Sequence, residues 1–231
     1  TNWNLGLHTG LVARWPGRID ADKRTDALVQ YADVLPTLVE AAGGDPAAHD
    51  YDGTSFLDVL TGLAGESRRR FVYGMHNNFP EGPPYPIRTV SDGTHRYIRN
   101  LTPDELYTEK HVMGRGNDDA GRPSYWTSWM WDSLDRPVYN KLKRYMLRPA
   151  EELYDSVNDP YEINNRAADS AYADIKARLS AELDRWMAEQ GDPGIPQDTA
   201  EAHQAAKEGR HLYGPMREEP ECTPPAQRRM R

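Results

Sequence analysis

His76, Asn77 and Asn78 stand side by side in "MHNNFPEGPPYP", residues 75–86. One imidazole and two amides at the end of a strand-like segment can read the hydroxyls and carboxylates of a sugar through paired hydrogen bonds. The same asparagines would serve equally as turn caps. His8, which follows Leu5-Gly6-Leu7, is a second candidate: a donor to an anionic group or hydroxyl, or a packed histidine at a strand entrance. "SYWTSWMW", 124–131, carries Tyr125, Trp126, Trp129 and Trp131, whose faces suit the C–H side of a pyranose or pin a long loop to the body. Arg88 in "YPIRTV" reads as the buried partner of a carboxylate. "KLKRYMLR", 141–148, is a locally basic stretch that is either solvated surface or a lure for a polyanion.

A self-contained reaction centre is missing from this inventory. There is no Gly-rich phosphate loop, no Gly-x-Ser-x-Gly elbow and no His-x-x-x-His pair. The seven histidines are scattered, and their spacing makes none a metal ligand. A single cysteine, Cys222, excludes an intrachain disulfide or a cysteine zinc site and reads as a solvated tail thiol. With 28 Lys and Arg against 36 Asp and Glu, the net charge of −8 argues against nucleic acid as a partner. A local cationic pocket for one anionic group remains open. No run approaches the roughly 20 apolar residues of a membrane span.

The elements that must position these residues follow from pattern. "LVARW", 11–15, reads as a buried strand closed by Pro16-Gly17. Residues 33–42 read as a helix capped by Asp33, with Val34, Leu35, Leu38, Val39 and Ala42 inward and Gly43-Gly44 as the stop. "DGTSFLDVLTG", 52–62, reads as a second short helix with Phe56, Leu57 and Leu60 inward. Strand, helix and helix in this order suggest the last layer of an α/β domain. Beyond "ESRRR", 66–70, the pattern becomes strand-like at "FVYGM" (71–75), "IRTVS" (87–91), "RYIRN" (96–100) and "ELYDS" (152–156). Asp92-Gly93 marks a hairpin between the second and third strands. Residues 164–190 read as one helix with Tyr172, Ile175, Leu179, Leu183 and Trp186 on a stripe, capped by Asn164 or Asn165 and ended by Gly191. The expected second unit is therefore α+β: about four antiparallel strands packed on one long C-terminal helix. A long insertion, 101–150, interrupts it. The polar stretch 196–231 is expected to wrap the surface or move freely.

Five segments also carry a resemblance. "LGLHTGLVARWPGRI", "DVLPTLVEAAG", "DGTSFLDVLTG", "PIRTVSDGTHRYIRNL" and "EELYDSVNDPYEINNRA", in this order, resemble the C-terminal half of sulfatases of the alkaline-phosphatase superfamily. The long insertion and the "RNL" strand end look most like the N-sulfoglucosamine sulfohydrolase (sulfamidase) branch. The resemblance implies that 1–69 completes the catalytic α/β domain, 70–195 is the C-terminal subdomain and 196–231 is a tail. It implies hydrolysis of sulfate esters or sulfamates of glycosaminoglycan-type sugars by a formylglycine made from Cys or Ser, assisted by Ca2+. The nucleophile motif, Cys/Ser-x-Pro/Ala-x-Arg, and the acidic metal cluster are absent from these residues. The chain is thus expected to be a piece of a longer protein, with no catalytic or metal-binding residue of its own. His8, His76, Asn77 and Asn78 are its candidate substrate contacts. Family members are commonly periplasmic, secreted or lysosomal. A carbohydrate O-sulfatase, an arylsulfatase, a related phosphonate or phosphodiester hydrolase, and a non-catalytic carbohydrate-binding module remain alternatives.

Overall fold

Four antiparallel strands run in the order β1 (Val72–His76), β2 (Ile87–Ser91), β3 (His95–Asn100) and β4 (Glu151–Asp155). The computed structural model describes residues 2–63, 69–113, 125–134, 136–196 and 199–208. Each strand lies within a residue of its predicted place. The register pairs Tyr73 with Val90, Val90 with Tyr97, and Tyr97 with Leu153, so these four side chains share one face. Gly93 makes the β2–β3 turn possible at φ +89°, a region costly for any residue with a Cβ. A Cβ added there would also crowd Leu28, 3.3 Å away. Gly93→Ala is expected to cost about 1–2 kcal/mol, read as a lowered urea midpoint with an unchanged m-value.

The helices, in chain order, are α1 (Asn4–Leu7), α2 (Val34–Ala41), α3 (Leu57–Thr61), α4 (Lys110–Met113), α5 (Tyr125–Trp131), α6 (Arg136–Met146), α7 (Ala173–Glu189) and α8 (Ala200–Lys207). Leu179 and Leu183 of α7 are fully buried against Val90, Tyr97 and Leu153. The opposite face of the sheet is covered as well. There Ile87, Ile98 and Tyr154 pack with Tyr85 and Tyr107, and Trp3 and Tyr145 close over them. With both faces covered, all five residues of β2 are buried.

Several expectations are corrected. "LVARW" forms no strand, and Val12 is 93% exposed. A strand needs a neighbour to bond, and none of the described strands lies beside it. The α2 helix forms, but it buries Pro36 and Thr37 and leaves Leu35 and Leu38 exposed. Asp33 does not cap it through its side chain. Its buried carboxylate instead accepts from the backbone N–H of Gln30 and Thr54, both at 2.8 Å, and pairs with Arg69. The long helix begins at Ala173, after a 3-10 turn capped by Asp169. Asn165 is used elsewhere: its Oδ1 accepts from Leu153 N, extending the bonding beyond the edge of β4. The predicted polar tail contains α8, whose Ala205 is buried and whose His203 meets Phe79 edge-on at 5.5 Å. Residues 209–231, with Cys222, lie outside the described residues, as do Ser124 and most of "ESRRR".

Candidate functional site

His76 ends β1, and the chain leaves it as a loop folded back on the insertion. Tyr85 N donates to Asn77 O at 2.8 Å, Gly82 N to Asn78 O at 2.8 Å, and Lys110 N to Glu81 O at 2.7 Å. Gly82 passes so close to Thr108 O that a side chain would strike backbone. Asn78 is buried at φ +76°, a left-handed conformation that asparagine tolerates. Its Nδ2 donates to Pro83 O (2.8 Å) and Thr108 O (2.7 Å). Its Oδ1 lies 3.3 Å from His76 Nε2, and Tyr107 OH lies 3.2 Å from the same nitrogen. Asn77 is held differently, with Oδ1 accepting from Arg88 Nη1 at 2.9 Å. Its Nδ2 has no partner among the described residues.

Behind His76 stands a wall that the sequence did not announce. Tyr107 meets Tyr85 edge-on at 5.3 Å and Tyr145 at 5.4 Å, and Trp126 packs on Tyr145 at 5.6 Å. Arg148 is buried among them, 4.3 Å over the Trp3 ring and 5.7 Å over Tyr107. The "KLKRYMLR" stretch is thus not simply solvated: Lys141 and Lys143 are exposed, but Arg148 is interior. Tyr85 Oη and Arg148 Nη1 are buried without a hydrogen-bond partner. Burial lowers the His76 pKa from its ordinary value and the Arg148 charge acts in the same direction, while the Asn78 hydrogen bond and Glu81 oppose them. The ring is therefore neutral at pH 7.

Of the four sequence candidates, the structure brings the side chains of His76 and Asn78 together, while that of Asn77 is held by Arg88. His8 is exposed at the C-terminal end of α1, and among the described residues its ring has no hydrogen-bond partner. Only a contact between side chains far apart in sequence could have revealed Tyr107 and Arg148, and local pattern carries no such signal. A separate hollow of about 330 Å³ lies at the other end of β1, lined by Thr54, Arg69, Arg70, Phe71, Tyr73, Glu182 and Arg185. Its cations are largely answered within the fold, Arg69 by Asp33 and Arg185 by Glu182 and Glu189. Among the described residues no three His, Cys, Asp or Glu side chains converge to hold a metal ion. The site does not fit the implied Ca2+, and no step here is derived through it.

What the His76 loop offers is a fixed imidazole nitrogen backed by aromatic rings. Comparison with known proteins gives it a context. Residues 3–110 match the family described as "N-sulphoglucosamine sulphohydrolase, C-terminal". An ulvan-active sulfatase of Formosa agariphila is 34% identical over 191 residues, covering 82% of this chain and 34% of that protein. The human N-sulphoglucosamine sulphohydrolase is 25% identical over 184 residues, covering 74% of this chain and 34% of that one. Among solved structures, one described as "putative sulfatase yidJ" of Bacteroides fragilis overlays with a TM-score of 0.48 at 19% identity, over 78% of this chain and 29% of that one. This chain carries a sulfatase C-terminal domain. It spans about a third of the length of the curated relatives it matches.

Proposed function

We propose that this chain is the C-terminal part of an enzyme that releases sulfate from sulfated saccharides, and that the His76–Asn78 loop forms one wall of its substrate pocket. The observation carrying this reading is the conjunction at the end of β1. A neutral imidazole is fixed there by Asn78 and Tyr107, while the next residue, Asn77, is held by Arg88. Such a fixed imidazole reads substrate hydroxyls at a set point. The names of the matched relatives supply the chemistry: a sulfatase active on ulvan and one acting on N-sulphoglucosamine.

Residues 1–69 complete an α/β catalytic domain, and 70–195 form the subdomain that closes the pocket. The apolar side chains of Leu5, Leu11, Val12, Leu35 and Leu38, all exposed here, support this division, because such surface is normally covered. The nucleophile, a formylglycine, and the Ca2+ ligands belong to sequence outside these 231 residues.

The test is sulfate release by the full-length enzyme from glucosamine N-sulfate and from ulvan oligosaccharides. His76→Ala is expected to lower kcat/KM roughly tenfold, the weight of one hydrogen bond to substrate. Turnover of a small aryl sulfate, which does not reach the wall, should change little. An equal loss on both substrates would remove the loop from the pocket. The accessory-module reading has its own observation: Tyr125, Trp129 and Trp131 of α5 are exposed. Glycan binding abolished by Trp129→Ala and Trp131→Ala, with sulfate release intact, would favour it. Trp126 is unsuitable for that test because it supports Tyr145.

A further inference from the structure

We propose that Asn78 locks the His76 ring so that Nδ1 presents a lone pair, making this subsite select a free sugar hydroxyl over the same position carrying sulfate. The inference rests on the pocket-wall reading of the loop and adds to it which substituent the wall accepts. Both hydrogens of Asn78 Nδ2 are spent on carbonyl oxygens, Pro83 O and Thr108 O, so the amide cannot be flipped. The atom turned to His76 Nε2 is therefore Oδ1, which only accepts. An unprotonated Nε2 would set two lone pairs against each other at 3.3 Å. Nε2 must then carry the ring proton. Tyr107 OH, 3.2 Å from the same nitrogen, does not overturn this assignment, because its oxygen can accept from the same N–H.

With the proton on Nε2, the neutral ring leaves Nδ1 unprotonated, and among the described residues nothing bonds to it. A hydroxyl can donate to that nitrogen. A sulfate ester at the same place brings only oxygen lone pairs and negative charge, and is repelled. The groups facing the ring are Asn78 and Glu81 from its own loop, Tyr107 from the insertion, and Arg148 from the end of α6. Burial and Arg148 keep the ring neutral against the Asn78 hydrogen bond and Glu81, so the acceptor form persists through neutral pH. Acidification below the lowered pKa puts a proton on Nδ1, turns the acceptor into a cationic donor, and reverses the preference.

Nitrogen-15 NMR of the histidine-labelled protein tests the first half. At pH 7.5 the His76 pattern should be that of the Nε2–H tautomer, with a titration midpoint below about 6.5. Tyr107→Phe should keep that tautomer, whereas Asn78→Ala, checked for folding by its melting temperature, should lose it. A Nδ1–H ring in the wild type, or a switch caused by Tyr107→Phe, overturns the inference and leaves the pocket-wall reading standing. Titration of the full-length protein with glucosamine N-sulfate and its 3-O- and 6-O-sulfated forms tests the second half. At least one added O-sulfate should raise Kd tenfold or more at pH 7.5, and the gap should narrow at pH 5. Equal affinities overturn the selectivity. The expected tautomer with no saccharide perturbing the ring overturns the pocket wall itself.

Discussion

Glu152→Leu should destabilise the protein by about 3–5 kcal/mol, the usual cost of stranding one partner of a buried ion pair. The Glu152 carboxylate is almost fully buried and is the meeting point of four side chains. Oε2 accepts from Trp3 Nε1 at 2.8 Å and from Tyr154 OH at 2.5 Å. Oε1 accepts from Asn100 Nδ2 at 2.8 Å and from Arg148 Nη2 at 3.0 Å. Leucine fills the space but answers none of these donors, and it leaves the Arg148 charge in the interior beneath Trp3. A shift in melting temperature on the order of 10 °C is expected for a chain of this size. Pairing Glu152→Leu with Arg148→Met should recover most of the loss, because the stranded charge goes with its partner. If the double variant is no better than Glu152→Leu alone, the cost lies in packing and not in charge.

The same carboxylate sets a pH dependence. Burial alone pushes Glu152 up, but the Arg148 charge and the Tyr154, Asn100 and Trp3 hydrogen bonds hold it below its ordinary value of 4.5. An acid with a depressed folded pKa stabilises above its unfolded pKa, and that contribution is lost as pH falls through the folded value. Wild-type stability should therefore decline as the pH drops below about 4.5, and Glu152→Leu should show a shallower decline. Urea midpoints between neutral pH and pH 3 would check the difference in slope.

The strands were legible because their signals are local. β-branched and aromatic residues, with Asp92-Gly93 between them, place β2 and β3 without knowledge of the rest of the chain. The errors share a different origin. Pattern tells which side of α2 is apolar, but not whether anything covers it, and in this structure Leu35 and Leu38 stay exposed. "LVARW" has the composition of a strand without a described neighbour to bond to. The helix start at 164 was misplaced because the asparagines there suit a cap, yet the fold uses Asn165 to receive Leu153 N instead. At the site, His76, Asn77 and Asn78 were legible as sequence neighbours. Their fixed orientation was not, since it depends on Thr108, Tyr107, Arg88 and Arg148, which the topology brings in from elsewhere.

Arg88 shows how far that dependence reaches, and its replacement should have the second large effect. It sits fully buried in β2, and its guanidinium forks onto Asp192 through Nε and Nη2. Asp192 is placed by the end of α7: Gly191 turns the chain at φ +63°, and Asp192 N bonds back to Met187 O at 2.8 Å. The third arm, Nη1, holds Asn77 Oδ1 at 2.9 Å. One side chain thus ties the central strand, the long helix and the site loop together. Arg88→Leu is expected to cost about 3–5 kcal/mol, because Asp192 loses a buried counter-charge. Arg88→Lys should rescue little, since a point charge cannot fork onto a carboxylate and an amide at once. Asp192→Asn should cost a comparable amount, because it leaves the fully buried Arg88 charge without its counter-ion. Burial pushes Asp192 up, but its bonds from Arg88 and Gly194 N hold it below its ordinary value. The pair therefore stabilises above the ordinary aspartate pKa and is lost as pH falls through the lowered one. The effect at the site separates this tie from a purely structural one. With Asn77 released, the loop loosens, His76 becomes more solvated, and its titration midpoint should rise toward the ordinary value. An Arg88→Lys protein that is destabilised yet leaves the His76 midpoint unmoved would show that the strand holds the helix but does not hold the loop.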